Sequence, residues 1–381
     1  MGSNGNTVQL KILLVGAGIA GLTAATASKQ AGHKVTLFES SRLLHEVGAA
    51  ITLSPNGTRV LAKLGFDFDA AKGGGYAWIL SLTSLAILWR KNISILLVPW
   101  TTLKGISDFH IGLFIIDLKL GVQIVRVDVE NAEIETDDGI VWKGDILIGA
   151  DGLHCCVRKA TLSTNDEMEE EEVSEDDGWD IFRWLLDTKI IEEDSELKAL
   201  FRQGRQTFVY PHQGKTFRLV WYSYRDGELQ NLAAFCLAKL GESDREDYDA
   251  SADKDNLLKR FSAYHPTLLK LMKAADAIKS WRLRNRTPLS TYVYGKTLLI
   301  GDAAHPMLPF NAQGGNQTLQ DCGALVPAEE TKYLGEKLKE YESDGPPNVA
   351  RVDEMRENIL RELGYDVLER CNEVLRGAKE Y

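Results

Sequence analysis

The sequence predicts an α/β fold: a Rossmann-like domain on a parallel sheet, discontinuous in sequence, with an inserted α+β domain built on an antiparallel sheet. Three observations carry this. An apolar run ends in Gly16-Ala17-Gly18-Ile19-Ala20-Gly21, alternating strand patterns occupy the middle of the chain, and a strand of the buried type, Lys296 to Ile300, returns after them. At 381 residues the chain has room for two cores.

Taken in order, Leu10 to Val15 is an apolar run interrupted by Lys11 alone, as suits a strand covered on both faces. After the glycines, Leu22 to Ala31 is alanine-rich and stops at Gly32, a helix with a natural terminator. Lys34 to Phe38 is a second strand ending at Glu39, which completes a βαβ unit. Gly121 to Val125 and Ala132 to Thr136, with a turn at Asp137-Asp138-Gly139, read as antiparallel strands, and Trp142 to Ile148 as a single apolar strand. Beyond Trp179 the pattern changes to alternating strands, Thr207 to Tyr210 and Phe217 to Tyr222, then to a helical region from Asp255 to Ala277. From Ala328 the chain is charged and helix-prone, broken at Gly345-Pro346-Pro347.

The net charge of -11 is local in origin. Nine acidic residues and no basic ones lie between Asp166 and Asp177, which leaves 44 basic against 46 acidic residues elsewhere. Such a run repels itself and reads as a solvated surface loop. No basic stripe points to nucleic acid. The apolar stretch from Tyr76 to Trp89 falls short of the roughly 20 residues that a spanning helix needs, and Arg90-Lys91 follows it, so no transmembrane helix is expected. Five cysteines without framework spacing predict a reducing, cytoplasmic setting.

Gly16 permits a tight turn, Gly18 lets backbone N–H groups approach a pyrophosphate, and Gly21 lets the helix pack on the strand with its positive end at the phosphates. Glu39, 18 residues after Gly21, is placed to accept hydrogen bonds from ribose hydroxyls. A dinucleotide site follows, and the segment from Gly301 to Gln317 narrows it to a flavin. There a lone carboxylate, Asp302, ends a strand and suits a ribityl chain, and after a proline loop a glycine pair opens a helix whose N–H groups suit a reduced flavin ring.

With these motifs the sequence resembles the FAD-dependent aromatic hydroxylases of the salicylate hydroxylase-like kind, which are single-component flavoprotein monooxygenases. The resemblance rests on the glycine turn with Glu39, on Gly149 to Arg158 (GADGLHCCVR), and on Gly301 to Gln317 (GDAAHPMLPFNAQGGNQ). Weaker matches are Glu46 to Ile51, Phe182-Arg183-Trp184, Leu219 to Tyr222 and Arg286 to Leu289. It implies hydroxylation of a small phenol or hydroxybenzoate with NADPH or NADH and O2, through a C4a-hydroperoxyflavin. Epoxidation of an alkene and a flavin-binding protein with impaired turnover are the alternatives; a plain NAD-dependent dehydrogenase leaves the Gly301-Asp302 segment unexplained. By the same resemblance Asp302 holds the ribityl chain, and Pro309 with the backbone at Gly314, Gly315 and Asn316 borders the flavin ring and oxygen pocket. Ala50 belongs to the cofactor site, and Asp151 and Arg158 to a loop shared by FAD and the nicotinamide nucleotide. The implied domains are an FAD-binding domain of residues 1–75, 105–165 and 285–345, a substrate domain of 76–104 and 178–284, an acidic loop of 166–177 and a helical tail of 346–381. Either a monomer or a homodimer is compatible.

Arg183 and Tyr222 suit a substrate carboxylate or phenolate, since a planar guanidinium binds carboxylates at two points; packing roles are the competing reading. His212 reads as a turn residue and His305 as a structural loop residue. In GADGLHCCVR, no further ligands stand nearby for a metal, and adjacent cysteines rarely pair, so the loop reads as a cofactor loop with two incidental thiols. Cys155 stands where the family usually has serine. The resemblance fails between Trp89 and Gly121, where no arginine follows His110; residues 79–112 read as a genuine departure or as the trace of a misassembled gene model, with reduced FAD affinity expected of a genuine one.

Overall fold

The computed structural model describes residues 9–42, 50–66, 74–76, 96–99, 116–164, 178–201, 207–209, 217–224, 227–238, 251–283, 286, 289 and 291–325. The altered 79–112 segment lies outside them apart from 96–99, as do the acidic loop of 166–177, His212 and the helical tail of 346–381. In chain order the first elements are β1 (Lys11–Val15), α1 (Ile19–Gln30), β2 (Lys34–Glu39), β3 (Ala50–Leu53), α2 (Pro55–Lys63), β4 (Gly74–Tyr76), β5 (Leu96–Pro99) and β6 (Asp117–Leu120). Next come β7 (Ile124–Asp128), β8 (Glu133–Thr136), β9 (Val141–Lys143), β10 (Ile146–Gly149), α3 (Cys156–Thr164) and β11 (Trp179–Asp187). They are followed by α4 (Thr188–Glu193), α5 (Ser195–Leu200), β12 (Thr207–Val209), β13 (Arg218–Tyr224), β14 (Leu229–Leu237), α6 (Lys254–Arg260), α7 (Pro266–Lys273) and β15 (Lys279–Leu283). Last are β16 (Val293–Tyr294), β17 (Thr297–Leu299) and α8 (Gly314–Leu325), with short 3-10 turns at Gly301–Ala303 and Pro309–Asn311 before α8.

Six strands form the main sheet in the order β16-β17-β10-β1-β2-β6, parallel except at β16. The adjacent strands β1 and β2 are the apolar runs that the sequence marks: Leu13 and Leu14 on β1 and Leu37 on β2 are fully buried. Helices α1, α2 and α8 cover one face, with Leu14, Ala24, Leu37, Val60 and Leu319 in one cluster. Strands drawn from both sides of the 178–283 segment therefore share one sheet.

The second sheet is antiparallel, β12-β13-β14-β11-β15. Alternation along its strands sends successive side chains to opposite faces. Phe182, Trp184, Leu219, Trp221 and Leu232 pack under α6 and α7 in a closed core, while Ile181, Ala233 and Phe235 belong to the other face. A buried ion cluster ties this sheet together: Asp180 accepts from Arg282 Nε at 2.7 Å and pairs with Arg260 Nη2 at 3.2 Å.

Several boundaries differ from the sequence reading. Helix α1 begins at Ile19, inside the glycine motif, with Gly18 as its N-cap and Gly21 in its first turn, and the strand expected at 121–125 runs from Ile124 to Asp128. Gly121, at φ +71°, turns the chain before it. The apolar run from Trp142 to Ile148 is two strands, because Asp145 breaks it by bonding to the main chain of Lys11, accepting its N–H at 2.8 Å through the side chain. The helical region from Asp255 is split by Pro266, which opens α7.

Candidate active site

A cavity of about 820 Å³ lies between the carboxyl ends of β1, β2, β10 and β17 and the open face of the antiparallel sheet. That is where an open α/β sheet receives ligands. Of the residues nominated from sequence, Gly16, Gly18, Glu39, Asp151, Arg183, Tyr222, Asp302, Pro309, Gly314 and Gly315 line it. Gly21, Arg158 and Asn316 do not line it, and Ala50 is the first residue of β3.

The glycine turn is held by close approach. Gly16 stands at φ +101°, and a Cβ there would meet the Ala150 carbonyl oxygen at 2.5 Å. At Gly21 a Cβ would come within 1.8 Å of the Gly16 oxygen, so the helix sits on the turn. Gly18 has nothing within 4 Å of such a position, which leaves the start of α1 open to the cavity. Glu39 reaches back across the turn: one carboxylate oxygen accepts from the Ala17 N–H at 2.7 Å and the other from the Ser41 N–H at 2.9 Å. A carboxylate has about four acceptor positions, so Glu39 keeps capacity toward the cavity it lines.

Asp302 is exposed and lines the cavity. Burial pushes its carboxyl pKa up, against the pull of the nearby His305. The turn that carries it is clamped from two directions. Asp321 Oδ2 accepts the Gly301 N–H at 2.8 Å and lies 2.8 Å from His305 Nε2. From the other side Arg158, only 2 % exposed, donates through Nη1 to the carbonyls of Ala304 at 2.7 Å and Ala303 at 3.2 Å. Arg158, assigned from sequence to the cofactor loop, links the GADGLHCCVR helix to the Asp302 turn. His305 takes the structural loop place expected of it.

The side chain of Asn316 packs behind the start of α8, outside the cavity lining. It is fully buried, its Oδ1 accepts the Ser54 N–H at 2.9 Å, and its Nδ2 donates to the Ala312 carbonyl at 2.9 Å. Ala312 is held at φ 53°, a left-handed conformation unusual for alanine, just before α8. In the opening loop of α3, Asp151 Oδ2 accepts the Cys156 N–H at 2.8 Å, and Cys155 Sγ accepts the Arg158 N–H at 3.0 Å, the place of a helix N-cap. Burial, with Asp151 adjacent, pushes both thiols up. Among the described residues no group of histidine, cysteine and carboxylate side chains is placed to hold a metal.

Across the cavity stands the antiparallel sheet. Its register sets Ile181, Phe235 and Arg218 in one row, Arg183, Ala233 and Val220 in the next, and Asn231 beside Tyr222 in a third. Arg183 Nε donates to Asn231 Oδ1 at 2.9 Å. Asn231, Arg218, Ala233 and Phe235 escaped the sequence reading, although alternation outward from Tyr222 leads to Val220 and Arg218 at once.

Residues 129–350 match the FAD binding domain family, and residues 14–62 match the NAD(P)-binding Rossmann-like domain. The chain is 30 % identical over 316 residues, 76 % of each chain, to the FAD-dependent monooxygenase phomE' of Diaporthe leptostromiformis. It is 28 % identical to the 3-amino-4-hydroxybenzoate 2-monooxygenase of Streptomyces cremeus, covering 93 % of this chain and 88 % of that one. Its fold superposes on a salicylate hydroxylase substrate complex with a TM-score of 0.71 at 20 % identity, over 96 % of this chain and 97 % of that one. No helix among the described residues is long and apolar enough to cross a membrane. The chain thus belongs to the FAD binding domain family, and is an FAD-dependent monooxygenase that uses NAD(P)H.

Proposed function

We propose that this monooxygenase hydroxylates a small aromatic acid or phenol held on the antiparallel sheet. The carrying observation is the opposition of two walls in one cavity: the glycine turn, Glu39 and Asp302 on one side, Arg183, Asn231 and Tyr222 on the other. The names of the relatives favour the same class, since one acts on an aminohydroxybenzoate and a structural neighbour on salicylate.

The residues present fit a flavin dinucleotide. Gly18 leaves open space at a helix N-terminus, where a pyrophosphate is favoured. Glu39 is placed for the adenosine ribose, Asp302 for the ribityl hydroxyls, and the start of α8 at Gly314 and Gly315 for the flavin ring, with Pro309 beside it. FAD, reduced by NAD(P)H, supplies the activated oxygen. Arg183 holds the substrate anion; because Asn231 fixes one edge of its guanidinium, that orientation is set before a ligand arrives. Tyr222 adds a phenolic hydroxyl to the same end, and Ile181, Val220 and Ala233 supply an apolar floor that keeps water from the ring. Arg158, Asn316 and Gly21 act indirectly, by holding the turns that carry these groups.

We also propose the domain division given above, a cytoplasmic setting in line with free thiols at Cys155, Cys156, Cys236 and Cys322, and a monomer or homodimer. The test is the visible spectrum of the purified protein, with NADPH and NADH oxidation followed under air against a panel of phenols and aromatic acids. A yellow protein whose NAD(P)H oxidation rises with an aromatic acid, yielding a hydroxylated product, supports the reading. A yellow protein indifferent to all of them would overturn the substrate class, and an alkene that yields an epoxide would replace it.

A further inference from the structure

We propose that Arg218 is a positioning residue that clamps the Pro309–Asn311 turn to the substrate sheet by stacking on Phe310. The inference rests on the reading that this cavity is where the substrate is oxidised.

Arg218 opens β13, opposite Phe235 of β14. Its guanidinium carbon lies 4.1 Å from the centroid of the Phe310 ring and 5.1 Å from that of Trp179. Phe310 meets Trp179 edge-on at 4.9 Å and Phe235 at 5.5 Å. One side chain from the turn is thus enclosed by three from the sheet, on three different strands. The turn matters because Pro309 and Phe310 line the cavity and the chain passes next through the left-handed Ala312 to the open start of α8. A contact that fixes Phe310 therefore fixes the cofactor wall relative to the substrate wall.

Strand spacing separates Arg218 from Arg183 by two strands and one row, about 12 Å between Cα atoms, so the two arginines serve opposite ends of the floor. Arginine suits the clamp because its flat face stacks on a ring while its edge keeps donating, which lysine's compact ammonium does not reproduce. With the clamp intact, NADPH, a proton and O2 convert the aromatic C–H to C–OH with release of NADP+ and water. With the turn loosened, water reaches the reacting face, and the same electrons leave as hydrogen peroxide: NADPH, a proton and O2 give NADP+ and H2O2.

Two measurements on the FAD-loaded protein test this in Arg218→Ala and Arg218→Lys. Chymotryptic cleavage after Phe310 should rise about fivefold in both variants, the scale of a lost cation–π contact, while cleavage elsewhere and the Kd for FAD stay near wild type. With a saturating aromatic acid, the share of NADPH electrons recovered as H2O2 should rise in both with little change in KM, whereas Arg183→Ala should raise KM. Wild-type cleavage in Arg218→Ala, or wild-type cleavage and coupling in Arg218→Lys, would overturn the clamp. Should no aromatic acid stimulate the wild type, the substrate reading falls, and the cleavage comparison still decides the role of Arg218.

Discussion

His305 and Asp321 face each other at 2.8 Å behind the turn that presents Asp302, and the same Asp321 oxygen holds the Gly301 N–H. Burial alone would lower the His305 pKa, but Asp321 and Asp302 outweigh it and hold it above the usual value. A histidine pKa raised by folding contributes stability in full below the unfolded value of about 6.5, and that contribution is lost as pH rises through the folded value. Thermal midpoints recorded from about pH 6 to about pH 9 should therefore fall more steeply for the wild type than for His305→Gln; parallel curves would contradict the pairing. Asp321→Ala should cost about 3–5 kcal/mol, the loss typical of breaking one side of a buried pair.

Asp302 shows the opposite economy. Its carboxylate sits in a site that disfavours charge, with pKa pushed up by burial. Asp302→Asn should leave the thermal midpoint of the apoprotein unchanged or higher. Its Kd for FAD should rise about tenfold or more, as expected for losing hydrogen bonds to a charged group worth about 1.5–3 kcal/mol. Fluorescence titration of the apoprotein with FAD reads this, and an unchanged Kd would remove Asp302 from the cofactor site.

The three glycines of the turn should separate by mechanism. Gly21→Ala drives a methyl into the Gly16 carbonyl and should destabilise the apoprotein by at least about 1–3 kcal/mol. Gly16→Ala adds backbone strain at φ +101° to a clash with Ala150. Gly18→Ala meets nothing, so its apoprotein should melt like the wild type, while the methyl at the open helix start weakens FAD binding. Chemical denaturation of the three variants beside FAD titration checks the order.

Replacing Cys155 and Cys156 together by serine should leave FAD binding within about twofold, since one thiol is an N-cap that a hydroxyl fills as well or better. Both native thiols should also react slowly with a disulfide reagent at neutral pH, because burial disfavours the thiolate. Loss of flavin in the double variant would return the cysteines to the cofactor site.

The βαβ unit was legible because β1 and β2 are mainly apolar runs, each opened by a lysine, and the glycines between them allow only a close turn. The break at Gly144-Asp145 was not, since what splits the run is a bond between Asp145 and Lys11, 134 residues away. At the site, residue types were easier to read than their tasks. Arg158 sits in a recognisable motif, yet its partners, Ala303 and Ala304, lie some 145 residues on, and no local pattern announces them. Asn231 and Phe235 lay hidden because Leu229 to Leu237 is buried along nearly its whole length, which masks the alternation that would have revealed a cavity-facing side.

The pairing of β10 with β17 joins Leu147 to Thr297, 150 residues further along the chain. On the ribosome, β1, β2, β6 and β10 emerge early yet wait for β17 before that edge of β10 is covered, while β11 to β15 are complete within one stretch of nascent chain. The antiparallel sheet should therefore form first, and the main sheet should assemble around it late, since non-local parallel pairing is intrinsically slow. Until then β10 exposes an unpaired edge to neighbouring nascent chains, so a chain truncated before Thr297 should aggregate during synthesis even though most of its residues are already made.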